Sequence, residues 1–487
     1  MSKEKEKNLT NQPPLWVCIV IVLFLVVAFA AQLIAVGSPN VHMTLAFASV
    51  FAVLMLAIFN KTPFSVVEEG IIHGCKIATV SMMILMFIGV MIPAWVAAGT
   101  IPTLIYYGLK VISPSIFLVT AMLVCSLATL CTGTSWGTAA TFGVALMGIG
   151  GGLSVPAPMT AAAVICGAIF GDKLSPVSDT VNLSAGTCEV DIFQHIKSVA
   201  TATVPGYAIT LVIFGVMETK YKGNGADSPA VQAMLKSLTE HFNLSPIHAL
   251  VSLIPMILIL YMAVRKKNSL ATVVASAMVA MIIAILMQGY NILDMMTYMN
   301  DGFKIESGNA DVDKLLNRGG LQSMMWTVSI GYLGLSYGGI LEKTGVLNRL
   351  LFSISSITKN ARNLIITQMV AGFLTITLSA SPYVSILIPG RMFINGYKKL
   401  GIKKTVASRT CEHSGICLDP LLPWSLGAVY FSGVLGVKTL EYAPYCFMLY
   451  IVPIIAIIYA ITGLFVWKED EPEAFEEDDD ISAVATE

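Results

Sequence analysis

The sequence predicts an all-helical protein that crosses a membrane many times. Of its 487 residues, 56% are hydrophobic and only 12% are charged, and the mean hydropathy is +0.77. A soluble domain carries about 25% charged residues. The apolar residues also recur in runs of membrane-spanning length, for which about 20 residues are enough. These observations overrule the series of soluble domains that the length alone would suggest.

The chain opens with a polar segment, residues 1–14, which contains Lys3, Lys5 and Lys7. The first apolar run begins at Leu15 and is too long for the core of a signal peptide, so we expect a retained helix over roughly 15–35. Thirteen further spans are expected, roughly at residues 43–59, 72–93, 115–131, 139–155, 158–190, 194–217, 247–264, 269–288, 319–340, 364–379, 382–395, 405–440 and 443–467.

Lysine and arginine in short loops set the orientation, because they stay on the cytoplasmic side. The N-terminal lysines and three basic clusters, within residues 265–267, 359–362 and 398–404, therefore mark cytoplasmic ends. If the span 247–264 ends inside, it begins outside, and the first half contains an odd number of crossings. The second half must then run upside down relative to the first. This predicts two inverted repeats of about five crossings each, with both termini in the cytoplasm.

This topology divides the chain into a cytoplasmic N-terminus (1–14), a first inverted repeat (15–217), an extracellular linker (218–246), a second inverted repeat (247–467) and an acidic cytoplasmic tail (468–487). Ten of the thirty acidic residues lie in the last 19 positions. We expect this tail to be disordered and solvated, a solubilising end rather than a binding element.

Two spacings support the repeats. The stretches 135–176 and 379–420 each run from a serine to a proline, and they are 244 positions apart. Two glycines that precede short apolar segments, Gly99 and Gly345, are 246 apart. Inverted repeats of this kind are a common plan of secondary transporters.

Residues 364–395 are apolar but flanked on both sides by cytoplasmic basic clusters, and they are interrupted near 379–382. The two parts, about 14–16 residues each, are short for a full crossing of about 20 residues. A re-entrant hairpin that enters and leaves on the cytoplasmic side is therefore expected. Its first-half equivalent is 115–155, interrupted at 132–138 and entering from outside. Two tight full crossings are the alternative in each half.

Two polar interruptions lie within otherwise apolar sequence, at residues 171–179 and 412–420. Each holds two carboxylates seven residues apart, Asp172 with Asp179 and Glu412 with Asp419. A carboxylate at membrane depth costs at least ~2.5–3.5 kcal/mol, so such groups are candidates for an ion or proton path. On an unbroken helix the two members would lie about 10.5 Å apart along the axis, too far to share one ion. The interruptions should bring them closer.

Each carboxylate also has a structural interpretation. Asp172 could pair with Lys173 or cap a helix, Asp179 could be an N-cap, and Asp419 could be a turn residue before a proline. Glu412 falls on what looks like continuous helix, where a structural role is harder to find.

When the two halves are aligned with the 244-residue offset, their carboxylates do not fall at equivalent positions. This offset aligns Asp419 with Ser175 and Glu412 with Ala168. The sequence thus predicts a repeated scaffold whose carboxylates are not repeated, so that one arm could serve the cation and the other the proton or a substrate.

The four polar breaks, at residues 132–138, 171–179, 379–382 and 412–420, are expected to meet around one cavity. The reason is that backbone groups at membrane depth must be paired or must line a cavity. The breaks supply oxygen atoms, which suit Na⁺. The predicted ion and proton ligands are Asp172, Asp179, Glu412 and Asp419, and the predicted ion or substrate ligands are Thr134, Ser135, Ser175, Ser178, Ser379 and Ser381. Na⁺ is expected at Asp172 and Asp179, or at Glu412 and Asp419. A carboxylate that holds either Na⁺ or H⁺ is the minimal mechanism of an antiporter.

Other classes of function have little support in the sequence. There is no P-loop and no dinucleotide-binding glycine pattern, and the nine cysteines form no CxxC pair. We therefore expect neither an enzyme nor a cofactor, apart from Na⁺ as a coupling ion, and no nucleic-acid partner. An intramembrane aspartyl protease would need a GxGD motif and a tyrosine–aspartate pair, whereas residues 169–172 read IFGD and no such pair exists. A passive channel is a further alternative.

The chain resembles the NhaC-type sodium/proton antiporter family from about Pro14 to Trp467. The resemblance is clearest in GTSWGTAATFGVALMGIGGGL (133–153) and AAAVICGAIFGDKLSPVSDTVNLSAGT (161–187). The segment 412–423 looks like the matching motif of the second half.

The family is similar to the wider ion-transporter superfamily. This resemblance implies a scaffold, a mobile transport unit with re-entrant hairpins, an elevator-like motion and a homodimer in the lipid of the cytoplasmic membrane. It also implies that Na⁺ is a coupling ion. Some relatives exchange malate plus protons for lactate plus Na⁺, and others carry amino acids. Na⁺/H⁺ antiport is the expected function, and transport of a small carboxylate or an amino acid is the alternative.

Overall fold

The computed structural model of the protein describes residues 12–36, 39–221, 229–265, 267–355 and 360–469. Over these ranges the secondary structure is helical apart from one isolated antiparallel bridge. The predicted all-helical class is confirmed for this part of the chain. Most of the polar N-terminus and of the acidic tail, residues 1–11 and 470–487, lies outside the described residues.

The described part of the first half contains ten α-helices. They are α1 Leu15–Val36, α2 Val41–Phe59, α3 Phe64–Ala97, α4 Thr100–Val111, α5 Phe117–Thr132, α6 Ser135–Thr138, α7 Val144–Gly152, α8 Ala157–Leu174, α9 Asp179–Thr187 and α10 Ile192–Glu218. A π-helical turn, Ala139–Gly143, joins α6 to α7. The linker region adds α11 Pro229–His241.

The second half begins with two helices that together form one span and continues to the end of the described chain. Its helices are α12 Pro246–Ser252, α13 Ile254–Val264, α14 Ser269–Gln288, α15 Ile292–Asp301, α16 Ala310–Leu316, α17 Leu321–Lys343, α18 Val346–Ser355, α19 Ala361–Ser379, α20 Pro382–Lys399, α21 Lys404–His413, α22 Gly415–Leu418, α23 Leu426–Leu435, α24 Thr439–Tyr442 and α25 Phe447–Thr462.

Eight spans in the described ranges are long and apolar enough to cross a membrane. They are α1, α2, α3, α8, α10, α12 with α13, α14 and α19. A ninth is possible if Thr439–Tyr445 and α25, bent by 55° at their junction, are counted as one. The sequence predicts fourteen candidate spans. The count differs because several of them, such as 139–155 and 405–440, fold as helices that are short or broken.

Helix breaks occur at all four predicted interruptions. Gly133 (φ 72°) separates α5 from α6, and Ala380 (φ 56°) separates α19 from α20. Residues 175–178 separate α8 from α9, and Ser414 (φ −109°, ψ −101°) interrupts the helix after α21. The helices α19 and α20 have 19 and 18 residues, more than the 14–16 expected. At 1.5 Å per residue each is about 28 Å long, which fits a full crossing as well as an arm of a hairpin.

The helix breaks of the two halves follow one another at matching intervals. Residues in equivalent positions of the breaks are 247 positions apart: Gly133 and Ala380, Thr134 and Ser381, Asp172 and Asp419, Ser178 and Ser425. This spacing differs by three positions from the predicted offset of 244. That offset equates Pro176, which lies between α8 and α9, with Pro420, which lies in the 3₁₀ turn Asp419–Leu421. At this spacing of 247, Asp172 and Asp419 take corresponding positions at the breaks.

The two halves meet along α3 and α17, which pack through glycines. A Cβ atom added to Gly70 would lie 2.8 Å from the carbonyl oxygen of Gly339, and one added to Gly74 would overlap the backbone of Leu335. Small residues let membrane helices approach this closely. This close contact joins the two halves.

Candidate functional site

A cavity of about 400 Å³ lies where the helix breaks of the two halves meet. Six of the ten predicted ligands line it: Thr134, Ser135, Asp172, Ser178, Asp179 and Asp419. The other four, Ser175, Ser379, Ser381 and Glu412, are buried elsewhere. The breaks thus bring together residues that are far apart in the sequence, as predicted, but they select three carboxylates rather than four.

Asp172 lies in the last turn of α8, where its half-buried carboxylate faces the break between α5 and α6. The Ser135 hydroxyl donates to Asp172 Oδ2 at 2.7 Å. The close packing of α8 against α5 depends on Gly171, because a Cβ atom at this position would overlap the carbonyl oxygen of Ser126 on α5. Asp172 therefore belongs to the cavity, and its neighbour Lys173 points elsewhere.

Asp179 is the first residue of α9 and is exposed at the cavity. The N-cap of this helix is Ser178, whose hydroxyl accepts from the Val181 amide at 3.5 Å. The capping role considered for Asp179 thus falls to Ser178. A carboxylate in the first turn is favoured by the helix dipole, and at this position it adds negative charge to the cavity.

Asp419 is buried against the start of α23. Its Oδ1 accepts from the Gly427 amide at 3.0 Å, and the Ser425 hydroxyl donates to its backbone carbonyl. The position next to Pro420 forms a 3₁₀ turn, so the turn interpretation is correct for the backbone. Because Asp419 also lines the cavity, the same residue contributes a carboxylate to the site.

We expect Gly427→Ala to damage this arm of the site. The added Cβ would overlap Asp419 Oδ2, so the carboxylate must move or the helix must shift, which costs about 1–3 kcal/mol for overpacking. The melting temperature and the initial transport rate should both fall. Gly186→Ala is the matched control, because nothing lies within 4 Å of a Cβ at that helical glycine. Equal behaviour of the two variants would contradict the packing described for Asp419.

Glu412 lies outside the cavity and is paired with Lys173. The Lys173 ammonium donates to Glu412 Oε2 at 2.9 Å and to the Glu412 backbone carbonyl, and Ser184 donates to Oε1 at 3.0 Å. The two side chains are 1% and 0% exposed. This ion pair connects α8 of the first half to α21 of the second. Together with Ser184 it gives each oxygen of the Glu412 carboxylate a donor, whereas the sequence offered Asp172 as the partner of Lys173.

The three remaining hydroxyls hold the breaks in shape. Ser175 donates to the carbonyl of Leu130 at 3.1 Å. Ser379 accepts from the Ser381 amide at 3.2 Å, and the Ser381 hydroxyl, as N-cap of α20, accepts from Val384 at 3.5 Å. Their hydrogen bonds replace the helical ones that are lost at each break. Thr134 combines both roles, because it caps α6 through Gly137 and also lines the cavity.

Three aromatic residues of the cavity wall were missed in the sequence: Trp136, Tyr383 and Tyr430. Trp136 and Tyr430 stack with centroids 4.4 Å apart, and the Tyr430 hydroxyl donates to the Trp136 carbonyl at 2.9 Å. A signal was available for two of them, since Trp136 lies inside one polar break and Tyr383 directly follows another. Tyr430 carries no such signal, because it lies inside an apolar helix.

Known proteins resemble the chain over most of its length. Residues 167–464 match the model of the Na⁺/H⁺ antiporter family. The chain is 35% identical over 424 residues to the Na(+)/H(+) antiporter NhaC of Alkalihalophilus pseudofirmus, which covers 86% of this chain and 90% of that protein. It is 35% identical over 421 residues to the malate-2H(+)/Na(+)-lactate antiporter of Bacillus subtilis, with 86% and 89% covered. It is 32% identical over 417 residues to the arginine/ornithine antiporter ArcD of Halobacterium salinarum, with 85% of each covered.

Proposed function

The chain belongs to the Na⁺/H⁺ antiporter family, and we propose that it is a membrane transporter that exchanges Na⁺ for H⁺. The observation that carries this proposal is the cavity in which Asp172, Asp179 and Asp419 meet the hydroxyls of the helix breaks. Carboxylate and hydroxyl oxygens are ligands for a hard cation, and a carboxylate can release a proton when a cation takes its place.

We assign the exchange itself to Asp172. Its carboxylate is half-buried and already accepts a hydrogen bond from Ser135 at 2.7 Å. Na⁺ and H⁺ would compete for its remaining lone pairs, while Asp419 supplies a second carboxylate from the equivalent break. Asp179, exposed at the cavity, would attract cations. Glu412 is assigned a positioning role, because Lys173 and Ser184 already occupy its carboxylate.

The contacts between the two halves also support a proposal for which helices move during transport. We propose that the two halves are inverted repeats with cytoplasmic termini, and that α5–α9 and α19–α23 move together in an elevator-like step within a homodimer. The Lys173–Glu412 ion pair supports a common unit because it ties α8 to α21. The glycine contacts between α3 and α17 support a fixed scaffold.

We expect purified protein in liposomes to dissipate an imposed pH gradient when Na⁺ is added. The initial rate should saturate with Na⁺ concentration, because a limited number of sites must be filled, and choline should have no effect. A pH-sensitive dye inside the liposomes measures the rate. The function would be contradicted if folded protein gave no response to any alkali cation. A non-saturating flux without a counter-ion requirement would indicate a channel.

The size of the cavity favours a second candidate, Na⁺-coupled exchange of a small organic ion. A volume of about 400 Å³ is far more than a bare Na⁺ fills and falls within the range of small-molecule sites. The wall also offers Trp136 and Tyr383. Relatives named for malate, lactate, arginine and ornithine exchange point the same way. Uptake of labelled forms of these compounds, driven by a Na⁺ gradient, separates this candidate from simple Na⁺/H⁺ exchange.

A further inference from the structure

A second cavity, here called the lateral groove, has a volume of about 520 Å³ and shares no lining residue with the ion cavity. Its walls come from α4, α5, the start of α12 and the segment 142–149, which includes much of α7. None of the fifteen described residues that line it is charged, and only Thr103 and Tyr107 carry a hydroxyl. Thr103 already shares a hydrogen bond with Ser252 at 2.9 Å. A cavity lined in this way stays dry, so its ligand must be apolar.

The groove opens towards the membrane. Val111 and Leu250 at its edge are 81% and 68% exposed, and α12 begins the candidate membrane span Pro246–Val264. The wall residues within 246–253 occupy the first ~10.5 Å of this span at 1.5 Å per residue. That is less than half of the ~30 Å hydrocarbon core. The groove therefore lies within one leaflet, close to the lipid headgroups.

The dimensions of the groove favour a lipid chain over a protein helix. Two turns of α-helix are about 10.8 Å long and about 10 Å wide, which is a cylinder of roughly 850 Å³. The groove is smaller than this, so neither a partner helix nor a helix of a second copy can enter it. An acyl chain is much narrower than a helix. Lipid tails are also the apolar molecules that surround every membrane span.

The rim beside the groove carries a positive charge. Lys110 lies in the last turn of α4, directly before Val111, and is exposed. Its ammonium lies 4.0 Å from the centroid of the Tyr106 ring and donates to the Tyr106 hydroxyl at 2.5 Å. Tyrosine and lysine side chains of this kind are typical of the membrane interface. The charge of Lys110 is complementary to the phosphate of an anionic lipid whose chain enters the groove.

The wall formed by α4 and α12 is tied to the proposed scaffold. Thr100 on α4 donates to the carbonyl of Ser252 on α12 at 2.5 Å. Ser276 on α14 donates to the carbonyl of Pro255 and accepts from Trp95 on α3, both at 2.9 Å. The opposite wall consists of α5 and α7, which belong to the proposed moving unit α5–α9. The groove thus lies between a fixed part and a moving part.

One turn of the chain reaches both cavities. It is the π-helical turn Ala139–Gly143, in which Ala140 lines the ion cavity and Phe142 lines the groove. Turns of this type inside α-helices are frequent at functional sites. A molecule in the groove therefore contacts the same turn that forms part of the wall of the ion cavity.

We propose that the lateral groove binds an acyl chain of an anionic phospholipid, with its phosphate near Lys110, and that the bound chain slows transport. A ligand shifts a conformational equilibrium only if it binds one arrangement better than the other. A chain that contacts both walls meets this condition, because the groove changes shape when α5 and α7 move relative to α4 and α12. The effect on rate rests on the proposed transport function, whereas the binding does not.

Quenching of tryptophan fluorescence by brominated acyl chains tests the binding. The reporter is Phe142→Trp in the full-length protein, reconstituted in vesicles of brominated phosphatidylglycerol, and the unchanged protein with its six tryptophans gives the background. Ala249→Phe fills the groove from α12 and should abolish the additional quenching. Val124→Phe fills it from α5 and should do the same, which covers the case that the first variant does not fold. Ile257→Phe and Leu127→Phe are the matched controls, because both positions are exposed on the same span and the same helix but lie outside the groove.

Three results would overturn the proposal. The first is the absence of additional quenching, and the second is equal quenching in the filled and the control variants. The third is quenching that falls as the ratio of protein to lipid rises, which would identify a second copy of the chain as the occupant.

Vesicles that mix phosphatidylglycerol with phosphatidylcholine, only one of them brominated, test the headgroup. The attraction of one lysine gives the anionic lipid a preference of about fivefold. Lys110→Gln should remove this preference and leave quenching by phosphatidylcholine unchanged. Equal quenching by the two lipids before this substitution would refute the assignment of an anionic lipid.

Transport in liposomes tests the consequence for the rate. If half of the protein carries a chain and only chain-free protein moves, the rate is halved. Ala249→Phe should then raise the rate in phosphatidylglycerol vesicles about twofold, and Ile257→Phe should not. An unchanged rate in spite of lost quenching would refute the slowing of transport. Quenching in the groove without transport by any variant would refute the proposed function but not the binding.

Discussion

Replacing Asp172 by asparagine is expected to abolish Na⁺/H⁺ exchange and leave the protein folded. The change keeps the shape of the side chain and an oxygen that can accept from Ser135. It removes the negative charge, and it removes the group that could take up and release a proton. Attraction between a carboxylate and a cation about 4 Å away amounts to about 4 kcal/mol at an effective dielectric constant of about 20. Na⁺ should therefore bind about three orders of magnitude more weakly.

Two measurements check this expectation independently. Exchange in liposomes should be lost, and Na⁺ should no longer raise the melting temperature, because a ligand stabilises a protein only in so far as it binds the folded state. Asp311→Asn is the control, since Asp311 is an exposed carboxylate in the first turn of α16. Na⁺-dependent exchange at the normal rate in Asp172→Asn would show that the ion site is elsewhere.

The breaks that create the cavity could be predicted from local sequence. Gly133 takes a left-handed conformation that favours glycine, and the serines and threonine beside the breaks act as N-caps. These are properties of a few neighbouring residues. Backbone groups that such a break frees at membrane depth must be paired or must line a cavity. The prediction of Thr134 and Ser178 as cavity residues follows from the same reasoning.

What could not be predicted depends on contacts between the halves. Lys173 and Glu412 are 239 positions apart, and nothing local indicates that this lysine would choose that carboxylate over Asp172 beside it. The break at Ser414 also determines the surroundings of the two carboxylates, because it makes the side chains of Glu412 and Asp419 point in different directions. On a continuous helix the two would share a face. Only the packed structure shows that one enters the cavity and the other enters an ion pair.

Replacing Lys173 by methionine is expected to unfold or severely destabilise the protein. The Glu412 carboxylate is 0% exposed and would lose its counter-ion, and its backbone carbonyl would lose a donor. Removing one partner of a buried ion pair costs about 3–5 kcal/mol, a large part of a total stability of about 5–15 kcal/mol. Glu412→Gln should also destabilise, because the buried ammonium would remain. Melting temperature and the yield of monodisperse protein measure both effects.

The double variant Lys173→Met with Glu412→Gln distinguishes a structural ion pair from an ion path. With both charges removed, most of the lost stability should return, since a neutral buried pair has no uncompensated charge. Lys343→Met is the control: its partner Glu69 lies at 3.0 Å on the surface, so the loss should be about 0–1 kcal/mol. If the folded double variant exchanges Na⁺ for H⁺, Glu412 positions the site without binding the ion. If it is folded and inactive, Glu412 belongs to the ion path together with Asp172, and the positioning role is refuted.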